Sequence, residues 1–280
     1  MSDKLDIAAA VSKSSGQNPG LVANAFDGIA GLFDTTLENE ITTGIRENIY
    51  SVVGNLVSPG CSILDVNCGT GIDLLHFLKE GYRATGIDIS QGMIEAARKK
   101  LNRAQREDVV LTVSSYESLG SSRFAEFDLV FSNFGGLNGT PNLDRAAKAI
   151  SSVTKPGGYF VGVIMPPFSL WETATFASRL QWNNAVRRFH ESTPATGFSG
   201  NVFPVYYYSP SATAKAFAPD FVTKKITGIS IFSPNPQSTH FVSRHPLVSK
   251  FLAAFDRLVE NIPLIRSVGD HYIIVLRKRK

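Results

Sequence analysis

Five short apolar runs rich in β-branched residues, separated by amphipathic stretches, constrain this chain more than any other feature. They are Ser62 to Val66, Ala84 to Ile89, Val109 to Val113, Phe127 to Ser132 and Tyr159 to Met165. Helical patterns fill most of the gaps, at Asp73 to Glu80, Gln91 to Leu101 and Leu143 to Thr154. Strand and helix in alternation predict an α/β fold: a doubly wound, mostly parallel sheet with right-handed crossovers. Ser90 is placed to cap the second helix, and Arg98-Lys99-Lys100 suit its C-terminus.

The flanking segments organise around this core, residues 58–165. Val22 to Phe33 and Glu38 to Val57 read as two amphipathic helices, giving an N-terminal helical cap over residues 1–57. After Met165 the alternation stops. Residues 166–208 carry Phe168, Trp171, Phe176, Trp182, Phe189, Phe198 and Tyr206-Tyr207-Tyr208, and read as an insertion or lid after the fifth strand. Residues 209–280 complete the sheet with a helix at Ala212 to Phe217, strands near Phe221 to Phe232 and His271 to Leu276, and a helix at Leu247 to Glu260. The last strand is expected to run antiparallel. A chain of 280 residues that is 43% hydrophobic and 19% charged buries a full core, as one large domain with an insertion.

Charge narrows the partners. The net charge is +4, and Arg277-Lys278-Arg279-Lys280 supply four positive charges; the remaining basic residues match the 24 acidic ones. A neutral body argues against a broad phosphate-binding face, so no nucleic-acid partner is expected and the basic end reads as a solvated tail. The apolar runs are far shorter than the roughly 20 residues that span a bilayer. The start Met1-Ser2-Asp3-Lys4-Leu5-Asp6 lacks a signal peptide's pattern, so a cytoplasmic protein without a membrane partner is expected. Cys61 and Cys68 form neither a zinc pair nor a disulfide framework, and no metal is expected.

Ligands of open α/β sheets bind beyond the carboxyl ends of the strands, where the first strand turns into its helix. Asp65-Val66-Asn67-Cys68-Gly69-Thr70-Gly71 occupies that place. The second strand ends in Asp88, a carboxylate able to accept both hydroxyls of a ribose, whether of NAD or of S-adenosylmethionine. Spacing alone leaves the cofactor open. The turn lacks the third glycine of the dinucleotide fingerprint, which a ligand without a pyrophosphate does not require, and Asp65 suits a cationic ligand.

Four pieces in order, Ile63 to Gly71, Gly86-Ile87-Asp88-Ile89-Ser90 with Met93, Phe127 to Ser132, and Lys155-Pro156-Gly157-Gly158, resemble the class I S-adenosylmethionine-dependent methyltransferases. The likeness covers roughly residues 25 to 165 and implies a Rossmann-like fold with S-adenosylmethionine as cofactor and S-adenosylhomocysteine as product. It implies that Asn67, Cys68 and Gly69, with Asp65 behind them, hold the amino-acid end. Asp88 would hold the ribose, Ile89 and Met93 would pack on adenine, and Ser115-Tyr116 would stand beside its amino group. Ser132, Asn133 and Phe134 would face the methyl. Two departures stand out. Asn67 replaces the usual glycine and is expected to tolerate a positive φ there. Phe33-Asp34 replaces the usual Tyr-Asp over the cofactor, keeping the ring but losing the hydroxyl. Arg46 resembles the arginine that pairs with the cofactor carboxylate, with a surface helix arginine as the alternative.

No Asn/Asp-Pro-Pro-Tyr/Phe stretch follows the fourth strand, where Ser132-Asn133-Phe134-Gly135-Gly136 stands, which disfavours amino-methylation of nucleic acid or glutamine. The aromatic insertion suits a small apolar or aromatic acceptor, a biosynthetic intermediate. Methyl transfer strictly demands no catalytic residue, although an oxygen, nitrogen or carbon acceptor that must lose a proton can use a general base. His190 and Tyr206 are candidates; His240, His245 and His271 read more simply as structural. Two alternatives remain: a protein that binds S-adenosylmethionine without transferring its methyl, and an RNA methyltransferase guided by the basic tail. A homodimer is left open.

Overall fold

The computed structural model describes residues 19–106, 109–121, 125–196 and 202–280. Phe198 and the first 18 residues of the helical cap lie outside them.

Three helices precede the sheet: α1 (Pro19–Asp27), α2 (Phe33–Leu37) and α3 (Glu40–Gly54). The single helix expected over Val22 to Phe33 is broken. The turn between the pieces contains Gly28 and Gly31, and the Asp27 side chain at the end of α1 is drawn to another helix, as described below. Asn39 caps α3 in a reciprocal pair with Thr42, its Oδ1 accepting from the Ile41 and Thr42 N–H groups at 3.0 and 3.2 Å.

The core follows the expected alternation: β1 (Ser62–Asp65), α4 (Ile72–Lys79), β2 (Arg83–Asp88), α5 (Gln91–Arg103), β3 (Leu111–Val113), β4 (Phe127–Ser132), α6 (Leu143–Ser152) and β5 (Thr154–Ile164). β5 starts five residues before the expected Tyr159, because its first residues run past β4 through a register shift between Phe127 and Leu129. The insertion holds α7 (Leu170–Ser178), α8 (Trp182–Ala185) and an antiparallel hairpin of β6 (Ser192–Thr196) and β7 (Val202–Tyr206). Then come α9 (Pro210–Phe217), β8 (Phe221–Ile229), α10 (Thr239–Arg244), α11 (Pro246–Val259) and β9 (His271–Lys278).

The seven-stranded sheet has the order β3-β2-β1-β4-β5-β9-β8. Pairings from β3 through β5 are parallel, and β9 runs antiparallel to both neighbours. Both faces are buried, so the strands read as near-continuous apolar runs. Leu64, Val130, Phe160 and Ile274 point to the layer that holds α6 and Phe217 of α9. Ile63, Leu129, Phe131, Val161 and Ile273 point to the layer that holds Ile49 and Val53 of α3 with Leu74 and Phe77 of α4. Strand order reverses between β1 and β4, and the cleft at that switch point opens beside the β1–α4 turn. No helix among the described residues is long and apolar enough to cross a membrane.

Candidate functional site

The β1–α4 turn is built from hydrogen bonds that demand two left-handed residues. The Cys68 N–H donates to the Ile87 carbonyl at 3.0 Å, and the Gly71 N–H returns to the Cys68 carbonyl at 2.9 Å. Gly69 and Gly71 take φ of 51° and 80°. Asn67 does not: its φ is not positive, so the expected backbone strain is absent. The cost of a side chain there is one of space. Asn67 Nδ2 donates to the Asn133 carbonyl at 2.9 Å, laying the amide across the gap between the turn and the loop after β4, while Oδ1 is buried without a partner. Gly136 makes room, since a Cβ there would lie 2.2 Å from Asn67 Cγ. In that loop Phe134 holds φ of 41°, uncommon for a bulky residue, pinned by its N–H donating to Asn133 Oδ1 at 2.8 Å.

Acidic groups ring the turn. Asp88 accepts the Gly69 N–H on Oδ2 and the Ser90 N–H on Oδ1, both at 2.9 Å, which leaves acceptor capacity on each oxygen. Burial pushes its pKa up, and these two N–H groups partly offset that. Asp65 is fully buried; burial first and then Asp73 push its pKa well above the ordinary value, and its Oδ2 has no partner. Arg46 is no surface arginine: it is 8% exposed, pairs with Asp73, and reaches Glu38 Oε1 at 2.9 Å. Burial works against its charge, and Asp73 and Glu38 more than compensate. Its guanidinium lies over the Phe134 ring, 4.7 Å from the centroid. Asn133 Nδ2 and the Tyr50 hydroxyl also donate to Asp73, at 3.1 and 2.6 Å.

The cleft is roofed by α1, α2 and the β6–β7 hairpin. Asp27 Oδ1 accepts from the Gly92 N–H at 2.8 Å and the Ser90 hydroxyl at 2.5 Å, docking α1 on the N-terminus of α5. Asp34 accepts from Thr70 Oγ1 at 2.5 Å and pairs with Lys100 at 2.6 Å, docking α2 beside the glycine turn. Phe26 of α1 meets Phe203 of the hairpin, centroids 5.6 Å apart. Asn138 holds the far side of the hairpin, donating to the Met165 and Tyr206 carbonyls at 3.0 and 2.5 Å and accepting the Met165 N–H at 2.9 Å.

The result is a cavity of about 840 Å³. Phe33, Arg46, Asn67, Cys68, Gly69, Asp88, Ile89, Met93, Ser115, Tyr116, Asn133 and Phe134 line it. Asp65 and Ser132 do not; both are fully buried behind the wall, and Ser132 Oγ also lacks a partner. Of the two base candidates, Tyr206 lines the cavity, whereas His190 is exposed on the surface after a short 3-10 turn. Burial and then Glu191 push the Tyr206 phenol above its ordinary value, which disfavours the phenolate a base requires. Glu38, Asp73, Phe203 and His271 line the wall without having been singled out as contacts in the sequence. They come from the loop before α3, from α4, from the hairpin and from the last strand, with no shared spacing to flag them.

Residues 63–158 match a family model described as a methyltransferase domain. The matched segment runs from β1 into β5. It is similar to an N,N-dimethyltransferase of dTDP-3-amino-3,4,6-trideoxy-alpha-D-glucopyranose from Streptomyces venezuelae, 32% identical over 142 residues, covering 50% of this chain and 56% of that protein. It is also similar to an S-adenosyl-L-methionine-dependent Diels-Alderase from Talaromyces variabilis, 30% identical over 123 residues, covering 43% and 42%. The alignments thus span about half the length of these curated relatives. Among solved structures, the [4+2]-cyclase SpnF shares the fold of this chain with a TM-score of 0.59 at 18% identity, covering 92% of this chain and 95% of that one.

Proposed function

We propose that the protein transfers a methyl group from S-adenosylmethionine to a small apolar or aromatic molecule. The observation that carries this reading is one continuous cavity whose wall runs from the Asp88 carboxylate past the glycine turn to Phe134, Tyr206 and His271. It offers a polar end for a nucleoside and an apolar end for an acceptor under one roof.

The residues fit the cofactor. Asp88 keeps an acceptor lone pair on each oxygen for two ribose hydroxyls. Ile89 and Met93 give an apolar wall for adenine beside Ser115 and Tyr116, with Phe33 above. Asn67 Oδ1, on a residue that lines the cavity, is a buried acceptor without a donor, suited to a cationic amino-acid end. Arg46 would meet its carboxylate, though Glu38 and Asp73 already share that charge. Bound S-adenosylmethionine supplies an activated methyl on a sulfonium, so positioning by the chain can provide up to about 7 to 11 kcal/mol of barrier lowering. Phe134, Met165, Phe203 and Val205 exclude water at the acceptor end.

Titration calorimetry with S-adenosylmethionine and NAD tests the cofactor, and absence of binding by the former sinks the reading. A second reading has support in the names of two similar proteins, the Diels-Alderase and the [4+2]-cyclase: a bound cofactor that assists ring formation and keeps its methyl. A substrate screen that finds product without S-adenosylhomocysteine would favour it. The neutral body argues for a small molecule over a nucleic acid; of the basic end, Arg277 and Lys278 belong to β9 and Lys278 Nζ donates to the Ser151 and Thr154 carbonyls at 2.7 Å, so loss of RNA affinity on neutralising Arg279 and Lys280 would argue the reverse. We place the protein in the cytoplasm, and sedimentation decides whether it acts as a homodimer.

A further inference from the structure

His271 is the only imidazole among the described residues that lines the cavity. It opens β9, and because β9 runs antiparallel, its first residue pairs beside the end of β5, at the edge of the sheet where ligands bind. The ring is 8% exposed and stands edge-on to Phe134, centroids 5.9 Å apart. Behind it lies a buried chain of charges. His271 Nδ1 is 2.9 Å from Asp270 Oδ2, close but off the N–H axis. Asp270 Oδ1 accepts from Arg188 Nη2 at 2.7 Å, and the same nitrogen donates to Glu172 Oε2 at 2.7 Å. Arg187 completes the set, donating to Glu172 Oε1 at 2.7 Å.

Two carboxylates and two guanidiniums balance, so the network closes on itself with the imidazole at its cavity end. Burial alone would push Asp270 up, but His271 and Arg188 hold it well below the usual carboxylate range. It therefore stays ionised beside the imidazole, able to stabilise an imidazolium by its charge. Neither ring nitrogen makes a hydrogen bond among the described residues, and Phe134 and Tyr206 line the same cavity. The other charged groups that line the cavity are Arg46, above the Phe134 ring and paired with Glu38 and Asp73, Glu191 beside the Tyr206 phenol, and Asp88 and Glu117.

We propose that His271 Nε2 is the proton acceptor of the reaction, with Asp270 as its positioning residue, and hence that the methyl acceptor is an O–H or N–H group on an apolar body. This rests on the methyl-transfer reading. As the bond from acceptor oxygen or nitrogen to methyl forms, the S–CH₃ bond breaks and its electron pair stays on sulfur. The acceptor proton passes to Nε2 and then to solvent.

The test uses the full chain loaded with S-adenosylhomocysteine or S-adenosylmethionine, with 2-naphthol, 2-naphthylamine and 4-nitrophenol as probes. With S-adenosylhomocysteine bound, 4-nitrophenol added below its solution pKa should absorb as the phenolate in the wild type and as the phenol in His271→Gln. With S-adenosylmethionine, His271→Gln should lose about 100-fold or more in rate towards 2-naphthol, the size of a lost general base, and much less towards the more acidic 4-nitrophenol when that probe is ionised. Asp270→Asn should lose rate without losing cofactor affinity, and Asp270→Glu should recover part of it. Calorimetry with S-adenosylhomocysteine checks that each variant is folded. Equal losses for both phenols, no loss, or the same absorption in wild type and variant overturn the proposal. So does a wild type that binds S-adenosylmethionine and methylates none of the probes, which leaves the cofactor reading standing. Failure to bind S-adenosylmethionine at all overturns that reading instead.

Discussion

The contact between Asn67 and Gly136 makes a prediction that can be worked through in numbers. Gly136 has no positive φ, so Gly136→Ala is compatible with the backbone. What opposes it is Asn67: the added Cβ would lie 2.2 Å from Cγ and 2.3 Å from both Nδ2 and Oδ1. Ordinary contacts begin near ~3.5 Å, so the amide must retreat by about 1 Å. Overpacking of this kind costs ~1–3 kcal/mol. Retreat also breaks the bond from Nδ2 to the Asn133 carbonyl, a further ~0.5–1.5 kcal/mol. We expect Gly136→Ala to destabilise by about 2–4 kcal/mol. Asn67→Gly alone should cost about 1–2 kcal/mol, from the lost bond and the freer backbone. In the double variant the three nearest obstacles to the new methyl are gone, so the two costs should fall short of their sum by about 1–3 kcal/mol. Urea unfolding at constant m measures all four corners of the cycle. Additivity within about 0.5 kcal/mol would refute the steric account, because it would mean that Asn67 yields without cost.

Three further outcomes follow from individual charges. Asp88→Ala should weaken S-adenosylmethionine binding by about 1.5–3 kcal/mol, the worth of charged hydrogen bonds, and unchanged affinity in a folded variant would show that the ribose is held elsewhere. Asp128 ties three strands together, accepting the Ser62 N–H and hydroxyl at 2.8 Å each and Lys155 Nζ at 2.7 Å. Burial raises its pKa, but Lys155 and Ser62 outweigh that and bring it to about 2. A depressed carboxylate stabilises the fold above its unfolded pKa of ~3.9 and loses that contribution as pH falls. The advantage of the wild type over Asp128→Asn, about 1–2 kcal/mol near neutrality, should therefore fade between about pH 4 and pH 2 in acid unfolding curves; a gap that persists there contradicts the assignment. Arg188→Met leaves Asp270 and Glu172 buried with one cationic partner fewer, and thermal unfolding should report a loss of about 3–5 kcal/mol.

The sheet was legible in the sequence because its strands are buried on both faces. Ile63 and Leu64, or Leu129 and Val130, can then be apolar in succession and still alternate between two cores. Breaks in the helices were less legible, since the end of α1 at Asp27 depends on Ser90 and Gly92, more than sixty residues away. Much of the cavity wall could be read locally, because glycine turn and second-strand acid are set by backbone geometry at the switch point. Asn67 shows the limit of that method. A glycine position was taken to mean a positive φ, whereas the constraint is a backbone carbonyl 66 residues distant, at Asn133, and a missing Cβ at Gly136. His271 shows the opposite case, in which the needed facts were present but had to be combined. The last strand is expected from the sequence to run antiparallel and to open at His271, and Asp270 is its neighbour in the chain. An antiparallel strand begins where its parallel neighbours end, and that edge is where open α/β sheets bind their ligands. A histidine–aspartate pair at the first turn of such a strand therefore differs from the same pair elsewhere in the chain. Topology, more than spacing, carries it to the cavity.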